Sequence, residues 1–259
     1  MGLLEGRRAL VFGVANDHSI AWGIAKAFHE EGATVGFSSI ESLIDRRVRP
    51  LAESIGSTFV EPCDVGSDEQ IRAVMGKWHD QHGEIDILVH AIAYAKGEDL
   101  DGKFVDTSRA GFALALDVSA YSLVAMAREA RPYLHRGSSI ITLTYYGAEK
   151  VVTNYNVMGV AKAALEASVR YLAEDMGREG IRVNAISAGP LKTLAAAGIK
   201  GMRTMLGENA DKTPLRRNIS HDEVGKAALF LCSSLGSGVT GETLHVDAGQ
   251  NIMGVVSMG

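Results

Sequence analysis

The chain has 259 residues, of which 46% are hydrophobic and 22% charged, with 29 glycines and only 5 prolines. This composition excludes collagen-like, mucin-like and disordered proteins, and a chain of this length buries about 70–75% of its unfolded surface on folding. The formal net charge of −5 argues against extended nucleic-acid binding, because such surfaces are strongly basic.

Short apolar runs alternate with longer amphipathic stretches along the chain. Strands are predicted at Arg8–Phe12, Thr34–Phe37, Thr58–Glu61, Ile85–His90, Ser139–Thr144, Arg182–Ile186 and Thr243–Val246. Helices are predicted at Ile20–Glu31, Ser42–Ser54, Asp68–His82, Ala120–Leu134, Asn156–Arg178 and Asp222–Ser234. Most strands are continuous apolar runs, which is typical of strands covered on both faces. The pattern predicts α/β architecture: a single Rossmann-type domain over residues 1–259, with a doubly wound seven-stranded parallel sheet and helices on both faces.

A turn of small residues joins the first strand to the first helix. Gly13 and Ala15 would let the backbone approach phosphate oxygens, and Ser19 would cap the helix and donate its hydroxyl. The helix N-terminus adds about half a positive charge. These features predict a pyrophosphate site, although the spacing departs from G-x-G-x-x-G and a plain packing turn is the alternative.

The ends of the next strands carry further candidates. Asp64 would accept a hydrogen bond from an adenine amino group, with Val65 beside the ring; alternatively, Asp64 caps a helix. His90 is predicted to be a hydrogen-bonded core histidine. The segment after the second strand, residues 37–41, has neither a clear acid for ribose hydroxyls nor an arginine for a 2′-phosphate. NADH is therefore favoured as the cofactor, with NADPH as the alternative.

The most specific pattern lies at the start of the long helix after the fifth strand. Tyr155 and Lys162 are seven positions apart, so on an α-helix they share a face to within about 20° and lie about 10.5 Å apart along its axis. A lysine at a nicotinamide ribose would place the tyrosine hydroxyl beside a substrate oxygen, which is an arrangement for hydride transfer. Such a pair also occurs by chance on helices, and Tyr145, at the end of the preceding strand, is alternatively a core aromatic.

These motifs resemble those of the bacterial enoyl-acyl-carrier-protein reductases, which belong to the short-chain dehydrogenase/reductase superfamily. The resemblance covers nearly the whole chain. The matching segments are Gly13-Val14-Ala15, Ser19-Ile20-Ala21, Cys63-Asp64-Val65, Leu88-Val89-His90, Tyr145 with Gly147-Ala148-Glu149, Asn154 to Gly159, Lys162, and Arg182 to Pro190. Other superfamily members have three residues between the tyrosine and the lysine, whereas this chain has six. That difference moves the tyrosine about 4.5 Å along the helix and separates enoyl reductases from ketone reductases.

The resemblance implies reduction of the trans-2 double bond of an enoyl thioester on acyl carrier protein by NADH, in the last step of the fatty acid elongation cycle. It implies that Tyr155 stabilises an enolate oxygen, that Lys162 holds the nicotinamide ribose and that Tyr145 is a second active-site tyrosine. The expected cofactor contacts are Gly13, Ala15, Ser19, Ile20, Asp64, Val65, Ile92, Lys162, Leu191 and Thr193. Ala95 and Tyr94 are expected to contact substrate, with Tyr94 adding a hydroxyl to a ring that relatives also carry.

A segment at about residues 191–206, rich in Ala, Gly and Met, is predicted to form a helical lid over an apolar acyl slot. A surface excursion without function is the alternative. Lys200 and Arg203 are three residues apart on this segment and would share a helical face. That face could dock the acidic acyl carrier protein, or it could be solvated surface.

Two other functions fit part of this pattern. A 3-oxoacyl-type short-chain reductase is disfavoured by the six-residue spacing, and a non-catalytic regulator that senses NAD(H) is disfavoured by the presence of Tyr145, Tyr155 and Lys162 together. The resemblance also implies a homotetramer.

The chain shows no apolar run approaching the roughly 18 residues of a membrane span, and residues 1–9 carry charges where a secretion signal would be apolar. Cys63 and Cys232 have no metal-site or disulfide spacing. We therefore expect a cytoplasmic protein without metal, membrane or nucleic acid as a partner.

Overall fold

Seven parallel strands form one sheet in a computed structural model that describes residues 2–193, 207 and 209–254. The strands are β1 (Arg8–Phe12), β2 (Thr34–Ser39), β3 (Val60–Pro62), β4 (Ile85–His90), β5 (Leu134–Thr144), β6 (Arg182–Ala188) and β7 (Thr243–Val246). Their spatial order is β3-β2-β1-β4-β5-β6-β7. The order reverses between β1 and β4, and open sheets of this kind bind ligands beyond the carboxyl ends of the strands at such a point.

Helices cover both faces of this sheet. They are α1 (Ile20–Glu30), α2 (residues 41–54), α3 (Asp68–His82), α4 (Arg109–Tyr133), α5 (Asn156–Gly177) and α6 (His221–Cys232). Alternate residues of β1 belong to two separate buried clusters: Ala9 and Val11 pack with α1 and α6, whereas Leu10 and Phe12 pack with α3, α4 and α5. This alternation is that of a strand buried on both faces, and it confirms the doubly wound Rossmann-type sheet.

Three strands, β1, β4 and β7, and helix α3 have the predicted bounds. The largest error concerns α4, predicted to begin at Ala120 but observed from Arg109. The first part of α4 is capped by Ser108, whose hydroxyl accepts from the amide of Gly111. A π-helical turn at Asp117–Tyr121 then follows. This turn shifts the helical phase, so one 3.6-residue apolar period does not run through the whole helix.

Within the described ranges, the stretch Arg109–Tyr133 is long and apolar enough to cross a membrane by length and composition alone, with a mean hydropathy of 1.6 in its most apolar window. The expectation that no apolar run approaches a spanning length is therefore wrong for this stretch. Half of the window is buried inside the fold, and Leu123 and Met126 are fully buried in the core between α4 and the sheet. A helix buried in the core of a folded domain can also be this long and this apolar, so length and composition alone are weak evidence of a membrane span.

A buried carboxylate joins elements at the edge of the sheet opposite the carboxyl ends. Asp86 in β4 is 5% exposed. It accepts hydrogen bonds from the amide and Nε of Arg8 at 2.9 and 2.8 Å, from Arg7 Nη1 at 2.9 Å and from His135 Nε2 at 3.0 Å. Burial alone would raise the pKa of Asp86, but these donors hold it below its usual value.

Replacing Asp86 with alanine is expected to lower the free energy of unfolding at pH 7 by about 2–3 kcal/mol, because hydrogen bonds between charged groups are lost and two arginines keep their charge. The native pKa of Asp86 is depressed, so its contribution is present above the unfolded pKa of about 4 and is lost as pH falls through the native pKa. Urea unfolding at pH 7 and pH 3 measures this, and the difference between variant and parent should shrink at pH 3. Glu174→Ala, which breaks an exposed pair with Arg178, is the control; an equal loss in both variants at pH 7 would contradict the prediction.

Candidate active site

The turn after β1 leaves its backbone accessible to a ligand at the carboxyl edge of the sheet. Gly13 has φ +100°, and a Cβ there would lie 2.1 Å from the carbonyl oxygen of Ala91, so only glycine fits. Ser19 is the N-cap of α1, but its hydroxyl accepts from the amides of Ala15 and Asn16, at 3.0 Å each, instead of from the helix. Ser19 therefore shapes the turn and leaves the first amides of α1 to a ligand. The first turn of α1 carries no acidic residue, which favours an anion at that place.

The expected cofactor contacts lie along one edge of the sheet. They follow β1 (Gly13, Ala15, Ser19, Ile20), β3 (Asp64, Val65), β4 (Ile92) and β6 (Leu191, Thr193), and Lys162 lies on α5. Near the end of β2, the hydroxyl of Ser38 is buried without a hydrogen-bond partner among the described residues, and the Ser38 carbonyl accepts from the amide of Gly13. The glycine turn, the helix N-terminus and this buried hydroxyl fit a dinucleotide such as NADH.

Asp64 does not cap a helix. Its Oδ1 accepts from the amide of Gly66 at 2.9 Å, which stabilises the turn after β3, whereas Ser67 is the N-cap of α3. The other carboxylate oxygen of Asp64 is the candidate acceptor for an adenine amino group. Val65 and Ile92 are partly buried against the core beneath this edge.

His90, the last residue of β4, is fully buried. Its Nδ1 lies 2.7 Å from Thr142 Oγ1 and its Nε2 lies 2.8 Å from Ser122 Oγ. Burial lowers the pKa of His90 to about 3, and the positive charge of Lys162 acts in the same direction. A neutral imidazole held by two hydroxyls is the core histidine that the sequence predicted, and it has no acid–base role at neutral pH.

The two tyrosines and the lysine come together where β5 ends and α5 begins. Tyr155 is the N-cap of α5, and its ring packs edge-on against that of Tyr145, with centroids 5.1 Å apart and an interplanar angle of 72°. Lys162 is 5% exposed, and its Nζ donates to the carbonyl oxygen of Leu143 at 2.7 Å. The groups that the sequence singled out therefore occupy one small, water-poor region.

Burial sets the protonation state of these groups. It raises the pKa of Tyr155, and nearby Tyr145 and Glu166 act in the same direction. Burial also raises the pKa of Tyr145. Both phenols are therefore neutral hydrogen-bond donors at pH 7. Burial lowers the pKa of Lys162 to about 8, against the opposing effect of Glu166.

Small residues let the loop after β5 pack on the head of α5. A Cβ at Gly147 would lie 2.4 Å from the Tyr155 ring, and one at Gly159 would lie 2.8 Å from the Gly147 carbonyl oxygen. Asn156 has a left-handed φ of +39°, and its Nδ2 donates to the carbonyl oxygens of Leu100 and Gly102 at 3.2 and 3.3 Å. Asn156 thereby fixes the segment around Leu100 beside Tyr155.

A small apolar cluster surrounds the tyrosines. Its buried members are Tyr155, Met158 and Ala161, and its partly buried members are Ala95, Leu100, Leu116, Tyr145 and Val152. This cluster is a suitable lining for an acyl chain. Ala95, one of the two predicted substrate contacts, belongs to it.

Tyr94, the other predicted substrate contact, is 53% exposed. Its backbone is held by Ser119, whose hydroxyl accepts from the Tyr94 amide at 2.9 Å and donates to the Tyr94 carbonyl at 3.1 Å. Sequence patterns missed Ser119 and Leu100, because these residues belong to no spaced motif, and they gave Asn156 no role although it lies within the matching segment Asn154 to Gly159. Of the predicted lid, Leu191, Lys192 and Thr193 are described, whereas residues 194–206, with Lys200 and Arg203, lie outside the described residues.

Comparisons with known proteins agree on one family. A profile of the family described as enoyl-(acyl carrier protein) reductase matches residues 13–251. The enoyl-[acyl-carrier-protein] reductase [NADH] 1 of Rhizobium meliloti is 52% identical over 254 residues, covering 98% of this chain and 93% of the relative.

Two solved structures are similar over almost the whole chain. The NADH-dependent enoyl-[acyl-carrier-protein] reductase of Aquifex aeolicus has a TM-score of 0.95 at 51% identity, covering 98% of this chain and all of that chain. The Bacillus cereus enoyl-acyl carrier protein reductase, solved with NADP+ and indole naphthyridinone, has a TM-score of 0.96 at 51% identity and the same coverage. The chain therefore belongs to the enoyl-acyl-carrier-protein reductase family.

Proposed function

We propose that this protein is an NADH-dependent enoyl-[acyl-carrier-protein] reductase, which saturates the trans-2 double bond of an enoyl thioester in the last step of fatty acid elongation. The observation that carries the proposal is the group formed by buried Tyr155 and Lys162 and partly buried Tyr145, beside an apolar cluster at the carboxyl edge of a dinucleotide-type sheet. The family membership and the names of its relatives support the same reaction and the same cofactor.

In this reaction NADH supplies a hydride to the β-carbon of the enoyl thioester. Negative charge then develops on the thioester oxygen, and the protein must stabilise it. Tyr155 is the proposed donor to that oxygen, because its pKa is raised by burial and its phenol remains protonated. The ammonium of Lys162 would hold the nicotinamide ribose and add a positive charge that favours the anion. The reaction would be completed when the enolate takes a proton from solvent at its α-carbon, with Lys162 helping to relay it, which leaves the saturated thioester and NAD+.

The remaining proposed contacts follow the sheet edge. Gly13, Ala15, Ser19 and Ile20 would surround the pyrophosphate, and Asp64 with Val65 would bind the adenine. Ile92, Leu191 and Thr193 would line the nicotinamide end. Ala95 and Tyr94 would border the substrate.

The function is tested by mixing purified protein with NADH and a crotonyl thioester and following the loss of absorbance of the reduced nicotinamide. We expect consumption with the crotonyl thioester and none with an acetoacetyl thioester. Consumption with the acetoacetyl thioester alone would indicate a ketone reductase, and NADH binding without turnover would indicate a regulator. Repeating the assay with NADPH tests the cofactor preference, since one relative was solved with NADP+.

Ser119→Ala is expected to raise the KM for crotonyl thioester about fivefold, with the KM for NADH nearly unchanged, since a lost buried hydrogen bond costs about 1 kcal/mol. Ser119 is fully buried, and its hydroxyl bonds both the amide and the carbonyl of Tyr94. These bonds fix the backbone next to Ala95, which lies in the apolar cluster. Steady-state kinetics with each substrate varied in turn measure the two KM values. A variant with both KM values unchanged would show that the Ser119–Tyr94 hydrogen bonds do not affect substrate binding.

We also propose a cytoplasmic homotetramer that binds neither membrane nor nucleic acid, and docking of acyl carrier protein through Lys200 and Arg203. These proposals rest on the family resemblance and on the sequence of the 191–206 segment. Sedimentation tests the assembly. For docking, charge reversal at Lys200 and Arg203 should raise the KM for carrier-bound substrate but not for a small thioester; an unchanged KM for the carrier-bound substrate would refute the docking surface.

A further inference from the structure

The last two residues of β5 and the residue after them, Tyr145, contact α5 or its N-cap at three successive positions. The carbonyl oxygen of Leu143 accepts from Lys162. Thr144 Oγ1 donates to Oε1 of Glu166 at 2.7 Å, and the ring of Tyr145 packs on that of Tyr155. Lys162 and Glu166 are four residues apart, so they lie on the same face of α5. Thr144, which contacts Glu166, therefore stands between Leu143 and Tyr145, which contact the two proposed catalytic groups on α5.

Glu166 is 9% exposed and belongs to no motif of the sequence. A carboxylate at this depth needs partners, because burial disfavours its charge. The Thr144 hydroxyl donates a hydrogen bond to this carboxylate, beside the region that the proposed reaction uses.

We propose that Glu166 is a positioning residue of the reductase: its carboxylate, fixed by Thr144, keeps the Lys162 ammonium charged at the end of β5, where it holds the cofactor ribose. This inference rests on the role proposed above for Lys162. The addition is the negative charge of Glu166, which lies one helical turn from Lys162. Its carboxylate is held by the Thr144 hydroxyl and is not proposed to bind the ribose.

The charges around the two residues support this arrangement. Burial lowers the pKa of Lys162, and Glu166 is the group that opposes this effect. Burial raises the pKa of Glu166, whereas the Thr144 hydrogen bond lowers it. Other titratable groups also face Glu166: Glu149, which follows the loop, raises its pKa, whereas His245 of β7 and Arg170 of α5 lower it. Burial is the largest of these effects, so the pKa of Glu166 is raised overall, and the Thr144 hydroxyl and Arg170 oppose that rise.

Glu166→Gln is the sharpest test, because the amide oxygen still accepts from Thr144 while the negative charge is lost. The affinity for NADH is measured by fluorescence from pH 6 to pH 9.5, without any turnover. In the parent protein, affinity should fall as pH rises through about 8. In the variant, this alkaline fall should move to lower pH by roughly one unit, with affinity at pH 6 nearly unchanged.

Glu149→Gln is the matched control, since Glu149 is a neighbouring carboxylate that pairs with His245 at 2.7 Å. It should leave the alkaline fall of the parent in place. Thr144→Val is the second variant should Glu166→Gln not fold; losing the hydroxyl should move the fall in the same direction. A Glu166→Gln profile that superimposes on that of the parent, or an equal shift in Glu149→Gln, would overturn the inference.

The wild-type assay separates this inference from the proposed function. A parent protein that binds NADH but does not oxidise it with the crotonyl thioester refutes the reductase. A parent protein that is active and a Glu166→Gln profile that does not move refute only the role of Glu166.

Discussion

Tyr155→Phe is expected to lower kcat with crotonyl thioester by about 10²–10³-fold, since losing one donor to a developing oxyanion typically costs that much. The affinity for NADH should be nearly unchanged, because the role proposed for Tyr155 lies on the substrate side. The phenylalanine ring still fills the space against Tyr145 and Gly147. Stopped-flow or steady-state kinetics, together with NADH titration, measure the two effects separately.

Two matched variants sharpen this result. Tyr146→Phe removes the hydroxyl of the neighbouring residue outside the apolar cluster, and it should leave kcat close to that of the parent. Tyr145→Phe compares the two active-site phenols. Full turnover in Tyr155→Phe, combined with a large loss in Tyr145→Phe, would transfer the donor role to Tyr145.

Lys162→Met is expected to weaken NADH binding by about 10- to 100-fold, because hydrogen bonds to charged groups contribute about 1.5–3 kcal/mol. The same variant should make the protein without cofactor more stable at pH 7, by about 1–2 kcal/mol, because a buried charge is replaced by an apolar side chain of similar volume. The native pKa of Lys162, about 8, is lower than its unfolded value. The buried ammonium therefore opposes folding at neutral pH, and in the parent this cost is relieved as pH rises above about 8.

Thermal unfolding without NADH and NADH titration test the two halves of this prediction. The stability difference between Lys162→Met and the parent should decrease between pH 7 and pH 10. A variant that binds NADH as tightly as the parent would remove Lys162 from the ribose. A variant less stable than the parent at pH 7 would show that the ammonium is favourably placed even without cofactor.

Much of this architecture could be predicted from the sequence, because the relevant signals are local. Continuous apolar runs identify β1 and β4, and the spacing of Tyr155 and Lys162 places both near the start of one helix. The ideal helical angle between them does not apply, because Tyr155 is the N-cap of α5 and Asn156 has a left-handed φ of +39°. The turn around Gly13 could also be predicted, because β1, the turn and α1 are contiguous in the sequence.

Other features depend on residues that only the fold brings together. Ser119 lies on a π-helical turn, which no regular period indicates. Glu166 has the appearance of an ordinary polar helix residue until β5 places Thr144 against it. The hydroxyl of Ser19 accepts from the turn amides of Ala15 and Asn16 instead of from an amide of α1, and only the final backbone geometry selects these partners.

The most direct test is an experimental structure of the protein with NADH and an enoyl thioester analogue that cannot be reduced. We expect the Tyr155 hydroxyl about 2.5–3.0 Å from the thioester oxygen, and the Lys162 ammonium within about 3.2 Å of a hydroxyl of the nicotinamide ribose. A thioester oxygen bonded to a different group, or a Lys162 side chain that contacts only Leu143, would contradict the mechanism.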